Sequence, residues 1–417
     1  MSNHIVGIDI SSSKVCGVVG KIDNDNRIQV LGITTSKCSG IRNGMVVDIN
    51  SISYAVTSVV KALENIVNMP VKEAYLSIPI SLCELTKNRG AVSVSSPSKE
   101  IKISDLKNVL EAVKHVPMEK GTEVVAVEPE MFTVDEMSNI GNPVGMTGEE
   151  LAVEAQVVTA PSAMLEGYKK ALSRAGIGVN GIVVNSLGIY KDIIEEDEID
   201  NGVALIDIGA EVIETSVYRN NRILNVFSVG LGGETITNDI SICLKVPHED
   251  AENLKIKCSN LIKDKTLQNY RVKVNSITGN GSIDINYDTL VEIIGERVKE
   301  LLNIIKKKLI EDGNYKDINS FVIVGGGVSL FRDITVVATE VFNKPTRVGS
   351  PSYVGAANPI YSTAVGIIKE IVLRNKISNE LSKGTEEFSN LEVNKRDESK
   401  EKVTFSSKIK EFLAEFF

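Results

Sequence analysis

Between Ile5 and Val19 an apolar strand carries one carboxylate, Asp9, near its end, runs into Ser11, Ser12, Ser13 and Lys14, and is followed by a second apolar strand. These residue types in this order suit an anion. Backbone N–H groups in a turn of small side chains approach a phosphate closely, the Ser hydroxyls add donors, Lys14 adds charge, and Asp9 can orient a water on a magnesium ion. A plain surface hairpin has the same pattern. Two hundred residues on, Val203 to Gly209 repeats the apolar strand, the carboxylate (Asp207) and the small turn residue (Gly209), and Glu214 to Tyr218 supplies the returning strand. Two copies of one unit imply two similar halves facing each other. Phe321 to Val324 then runs into Gly325, Gly326 and Gly327, a buried strand opening into a triple-glycine turn.

The elements that must position these groups follow from the flanking pattern. Ile28 to Thr34 reads as a third strand, and Gly40 to Ile49 as a turn leading to another. Apolar residues from Ile52 to Met69 recur at helical spacing, closed by Pro70, and Ala74 to Ile80 is a strand. From Leu85 to Val157 the pattern changes to short alternating strands around Val92 and Val94, a helix from Ser104 to His115 and a strand from Val124 to Val127. Ser104 is a suitable N-cap, with Asp105 in the first turn. This predicts a small inserted lobe. A helix from Ser162 to Ala175 and a strand from Gly181 to Val184 resume the core. In Val229 to Ile240 the glycines Gly232 and Gly233 allow close backbone contact, and Thr235 can start a helix. Tyr270 to Tyr287 reads as a small sheet turning at Gly279 to Gly281, before a helix from Leu290 to Leu309.

A chain of 417 residues with 42% hydrophobic content is too long for one core and is expected to form two or more lobes. A net charge of −9 argues against a nucleic-acid-binding surface. The cysteines (Cys16, Cys38, Cys83, Cys243, Cys258) are scattered without CxxC spacing, which reads as reduced thiols in a cytoplasm, and no His lies near a paired Cys to make a zinc site. The polar N-terminus enters the first strand directly, and no apolar run reaches the ~18 residues of a membrane span. The chain is expected to be made in the cytoplasm and to stay there.

The two hairpins and the triple-glycine turn resemble the actin-like ATPase architecture. More specifically, Gly40 to Asp48, and Met131 to Asp135 followed by Asn142 to Gly148 and Leu151, are similar to signatures of the bacterial cell-division protein family FtsA, as are Arg347 to Pro351 and Asn358 to Gly366. The resemblance covers nearly all of residues 5 to 374. It implies an α/β, actin-like (ribonuclease H-like, duplicated) ATPase fold. The halves would be 1–84 with 161–200, and 201–374 with a small lobe at about 240–320; the inserted α/β lobe would be 85–160. It implies Mg2+ and ATP between the halves. Gly7, Asp9, Ser11, Ser12, Ser13, Lys14, Asp207, Gly209, Gly232 and Gly233 would hold the nucleotide, with Asp9 and Asp207 near the metal through water. Gly325, Gly326 and Gly327 would pass under the adenosine, and Glu252 and Lys255, three apart on one helical face, would meet the nucleoside. An exposed ion pair has that same spacing. On the later helix, whose face carries Glu296, Arg297, Glu300 and Lys306 to Lys308, Arg297 and Glu300 are candidates to receive the C-terminal tail of the tubulin-like protein FtsZ; a solvated helix face fits them equally.

Two positions depart from the pattern. Asn185 stands where many actin-like ATPases carry a Glu or Gln near the attacking water; Asn cannot act as a base, and it also fits as the residue that ends a strand. Glu211 stands where a glycine is expected, so it either points to solvent or loosens the nucleotide by like-charge repulsion.

Residues 375–402 are polar and rich in Glu, Lys, Ser and Asn, the composition of a flexible tether. At ~100° per residue, Phe405, Ile409, Phe412, Leu413 and Phe416 fall on one face of a helix over 403–417, with Phe417 just beyond and Lys408 and Lys410 at its margins. Such a helix lies in a lipid interface, rings inward and lysines on anionic headgroups. Packing on a partner is the alternative. The resemblance implies a membrane-targeting helix. With two lysines offset by Glu411 and Glu415, one copy binds weakly, so attachment needs many copies in a polymer.

The expected function is an ATP-binding actin-like protein, at most a slow ATPase, that polymerises and tethers FtsZ filaments to the inner face of the cell membrane at the division site, alongside other division proteins. A nucleotide-binding-deficient adaptor, and a soluble sugar or acetate kinase on the same fold, are the alternatives. The terminal apolar helix counts against the kinase.

Overall fold

A computed structural model of the chain describes residues 4–23, 27–115, 117–258, 260–267, 270–275 and 282–375. They divide into two compact units, one of residues 4–81 with 167–368 and one of 82–166 with 369–375.

The first unit opens on an antiparallel meander of β1 (His4–Ile10), β2 (Lys14–Ile22) and β3 (Ile28–Lys37), in which Asp9 faces Cys16. A two-residue hairpin, β4 (Ile41–Arg42) and β5 (Met45–Val46), turns on Asn43 and Gly44, both at positive φ. The helix α1 (Ile49–Val67) follows. It begins three residues before the expected Ile52 because Asp48 Oδ1 caps it, accepting from the N–H groups of Asn50 (2.9 Å) and Ser51 (3.1 Å). Asn68, in the left-handed region, ends it. Ile52, Val56, Val59 and Leu63 bury one face against β2. Gly17 permits this approach, since a Cβ there would lie 2.3 Å from Val59 Cγ1. β6 (Glu73–Ile78) then pairs parallel to β1.

The second unit has a sheet of β7 (Glu84–Ser93), β8 (Thr122–Val134), β9 (Met137–Ile140) and β10 (Glu150–Pro161), in the order β7-β10-β8-β9, with α2 (Ile103–Ala112) between β7 and β8 in sequence. In place of the short strands expected around Val92 and Val94 there is one ten-residue strand, β7, which includes Val92 and ends one residue before Val94. β8 runs on past the expected Val127 through Pro129, whose missing N–H is accommodated by a register shift against β10 between Glu154 and Ala155. The N-cap of α2 is Lys102, not Ser104: Asp105 reaches back to accept from the Lys102 N–H at 2.9 Å. Leu106 and Val109 of α2 join Phe132, Val134, Leu151 and Val153 in this unit's core. The Asn142–Gly148 stretch frames that core. Its backbone bonds Lys99 and Ile101, and Asp135 Oδ1 accepts from the N–H groups of Glu149 and Glu150 at 2.9 Å.

The chain continues with α3 (Ser162–Arg174), β11 (Gly178–Val184), α4 (Asn185–Ile193) and α5 (Glu196–Asn201). β12 (Val203–Ile208), β13 (Ile213–Arg219) and β14 (Arg222–Val229) form a second antiparallel meander. Next come α6 (Gly233–Leu244), α7 (His248–Lys257), the hairpin β15 (Arg271–Asn275) and β16 (Ser282–Asn286), and α8 (Tyr287–Glu311). β17 (Ser320–Val324), α9 (Ile334–Phe342), β18 (Thr346–Val348) and a helix α10 over 362–375 close the described chain. The first unit therefore holds two sheets of one design, β3-β2-β1-β6-β11 and β14-β13-β12-β17-β18. Each joins a three-stranded antiparallel meander to two parallel strands. Ile206, Ile208, Val217, Ile236, Ile240 and the apolar face of α8 make the core beside the second. Helices α4 and α10 meet backbone to backbone at Gly188 and Gly366, where a Cβ on Gly366 would lie 2.6 Å from the Gly188 carbonyl carbon.

Among the described residues no helix is long and apolar enough to cross a membrane. The turn at Gly279 to Gly281, the tether 376–402 and the amphipathic segment from Phe405 to Phe417 lie outside the described residues.

Candidate functional site

A cavity of about 590 Å³ opens within the first unit, where the two meanders present their turns. Of the residues expected to hold a nucleotide, it is lined by Asp9, Ser11, Ser12, Ser13, Lys14, Asp207, Gly209, Gly233, Glu252, Lys255 and Gly325 to Gly327. Gly7 and Gly232 are not among its walls. Gly7 lies inside β1, where a Cβ would meet Ile367 and Val18, and Gly232 packs on the carbonyls of Gly209 and Ala210, supporting the second turn from behind.

Strand order dictates the carboxylate end. Asp9 and Asp207 are the penultimate residues of β1 and β12, so each projects where its strand gives way to a turn. Ser77 Oγ, on β6, donates to Asp9 Oδ1 at 2.5 Å. The register of β12 and β13 sets Glu214 directly opposite Asp207, and directly opposed side chains share a sheet face. Burial raises Asp9 above the usual carboxylate range, with Glu214 adding to it and the Ser77 hydroxyl and Lys14 opposing. Burial, then Glu214 and Asp9, push Asp207 up to about 7, against the pull of Lys14. Across the first meander Asp9 faces Cys16, whose thiol is pushed up to about 12 by burial and then by Asp9. Three crowded carboxylates with one ammonium make a site short of positive charge, and their hard oxygen donors fit a hydrated magnesium ion. Among the described residues no group of three or more His, Cys, Asp and Glu is clustered as a metal site.

Lys14 Nζ donates to the Ile360 carbonyl at 3.0 Å, tying the first turn to the loop before α10, and the Ser11 hydroxyl caps the turn on the Lys14 carbonyl. At Gly325, with φ +86°, a Cβ would lie 2.3 Å from Asp207 Oδ1; only glycine lets this turn pass so close to the carboxylate. On α7, Lys255 Nζ contacts the Gly233 carbonyl (2.9 Å), Thr237 Oγ1 (2.8 Å) and Glu252 (2.7 Å), and the Thr237 hydroxyl also bonds Glu252. Glu252 and Lys255 are thus a braced pair in the cavity wall, not an exposed ion pair.

The two departures resolve differently. Glu211 is absent from the cavity lining; its carboxylate accepts from the Asn43 N–H at 3.2 Å. Asn185 is the first residue of α4 and is buried at the cavity wall. Its Oδ1 accepts from the N–H groups of Ile80 (2.9 Å) and Ser186 (2.7 Å), and its Nδ2 donates to Glu214. Sequence reasoning missed Glu214, Ser77, Lys37 and Tyr168, all of which line the cavity. Only Glu214 had a signal: counting back from Asp207 across the turn places it opposite. On α8, Arg297 is committed within the chain, with its guanidinium on both oxygens of Asp239 and on Glu300.

Similar designs occur among solved structures. The type IV pilus PilM–PilN complex matches with a TM-score of 0.60 at 16% identity, covering 89% of this chain and 98% of that one. MreB5 of Spiroplasma citri bound to ADP matches with a TM-score of 0.55 at 12% identity, covering 91% and 98%. The duplicated sheets and these likenesses define an actin-like fold. A family model for "Cell division protein FtsA" matches residues 204–366, and one for the "SHS2 domain inserted in FTSA" matches residues 81–159. Cell division protein FtsA of Bacillus subtilis is 30% identical over 364 residues, covering 87% of this chain and 82% of that protein. The Enterococcus faecalis protein is 30% identical over 374 residues, covering 89% and 84%. The chain belongs to the FtsA family of cell-division proteins.

Proposed function

We propose that this FtsA-family chain binds Mg-ATP in the cavity, polymerises, and tethers FtsZ to the inner face of the cell membrane at the division site through a helix over 403–417. The observation that carries the reading is the convergence of two like-built turns, with Asp9, Lys14 and Asp207, on one cavity. Ser11 to Lys14 and Gly209 would take the phosphates; Glu252, Lys255 and Gly325 to Gly327 would flank the nucleoside; Asp9 and Asp207 would hold the hydration shell of the metal, which offsets the phosphate charge. The FtsZ tail would meet the α8 surface near Arg297 and Glu300, where Arg297 exchanges part of its internal pairing for an acidic partner. Other division proteins would join on the assembled polymer.

The test is co-sedimentation with anionic vesicles, with and without Mg-ATP, comparing the full chain with one ending at Lys402. The reading expects the full chain to pellet, more so with ATP, and the shortened chain to stay in solution. If both stay soluble throughout, the terminal segment serves a protein partner and the tether fails. Pelleting that ignores ATP identifies a nucleotide-independent adaptor.

A further inference from the structure

We propose that Glu214 orients the water that attacks the terminal phosphate of ATP, the task that Asn185 cannot perform; the inference rests on the reading of the cavity as an ATP site. Asn185 has spent its acceptor oxygen on the N–H groups of Ile80 and Ser186, so it has no lone pair directed at a water in the cavity. What it offers is a donor, and that donor goes to Glu214 Oε2. The other oxygen of the same carboxylate accepts from the Ser81 N–H at 2.8 Å. Two N–H donors, one on each oxygen, fix the plane of a carboxylate that is 8% exposed and lines the cavity beside Asp207. Each oxygen keeps a second lone pair for a water.

The duplication sharpens the assignment. The position opposite Asp207 in the second meander is Glu214; the position opposite Asp9 in the first is Cys16, a buried thiol outside the cavity lining. Like charges directly opposed in a sheet are destabilising, and the first meander avoids them. The second carries that cost with a carboxylate that lines the cavity next to the phosphate turns. In the step itself, the water oxygen forms a bond to the γ-phosphorus while the bond from that phosphorus to the β–γ bridging oxygen breaks. ADP leaves with the electron pair, and the water proton passes to the Glu214 carboxylate and on to solvent.

The test uses the full chain and three measurements on wild type, E214Q and E214D: ATP affinity by titration of a fluorescent ATP analogue, single-turnover phosphate release, and the melting midpoint. E214Q should bind within about threefold of wild type while phosphate release falls about 100-fold, the usual scale for loss of a positioned acid–base group, and E214D should recover part of the loss. Three outcomes overturn the assignment: E214Q releasing phosphate within about threefold of wild type, both variants losing ATP binding in step with turnover as a purely structural clasp requires, or wild type binding ATP without cleaving it. If wild type binds no ATP at all, it is the ATP reading of the cavity that fails, and the assignment falls with it.

Discussion

Replacing Asp207 with Asn should make the nucleotide-free protein harder to unfold at pH 8 and leave it little changed at pH 4. Burial, and then the neighbouring Glu214 and Asp9 carboxylates, hold Asp207 at about 7 in the folded chain, against an ordinary 3.8. Between those values the folded chain keeps a proton that the unfolded chain has lost, so folding stability falls as pH rises from about 4 to about 7 and is flat beyond. A shift of about 3 units at 1.36 kcal/mol each sets an upper bound of about 4 kcal/mol on the destabilisation by Asp207 at pH 8. Asp207 is partly open to solvent in the cavity, so roughly 2 kcal/mol is the working figure after screening. D207N removes that charge at nearly constant shape. The assay is thermal unfolding of both proteins from pH 4 to pH 8.5 without nucleotide or divalent ion; the D207N midpoint should lie roughly 4–8 °C above wild type at pH 8, converging below pH 5. Adding Mg-ATP should raise the wild-type midpoint and not that of D207N. Parallel melting curves at every pH would sink the electrostatic account of this site.

Other perturbations are expected to act locally. G325A forces a Cβ against Asp207 at a positive φ and should cost roughly 3 kcal/mol and abolish ATP binding, read by melting and by nucleotide titration. D48A strips the cap of α1 and should cost about 1 kcal/mol in urea unfolding with no change in nucleotide affinity. F132A empties the core of the second unit and should cost about 3–5 kcal/mol there, visible as early hydrogen exchange in β8 and β10 while β12 stays protected.

The hairpins and the triple-glycine turn are legible in sequence because strand alternation and small turn residues are local signals. So is α1, whose apolar spacing needs no tertiary information. Glu214 is not legible by type, since a Glu in a returning strand reads as surface; its placement depends on the turn register that puts it opposite Asp207. Asn185 reads either as a poor substitute for a catalytic side chain or as the residue that ends a strand; it does follow the last residue of β11, but its bonds to Ile80 and Glu214, distant in sequence, leave no local signal. β8 extends beyond the expected Val127 through Pro129 by way of an irregularity at Glu130, the β8 residue skipped between the Glu154 and Ala155 pairings, and such a bulge has no signal in strand alternation. The Arg297–Asp239 pair spans 58 positions and leaves no periodic trace.

The crossing of α4 and α10 at Gly188 and Gly366 bears on how the family can vary. Where side chains interlock, a larger residue on one helix is accommodated by a smaller one on the other, and the two positions drift together. Here main chain rests on main chain, and no partner has anything left to give up. Each glycine is therefore held fixed on its own account, and related sequences should display two separate invariances at these sites rather than a correlated pair.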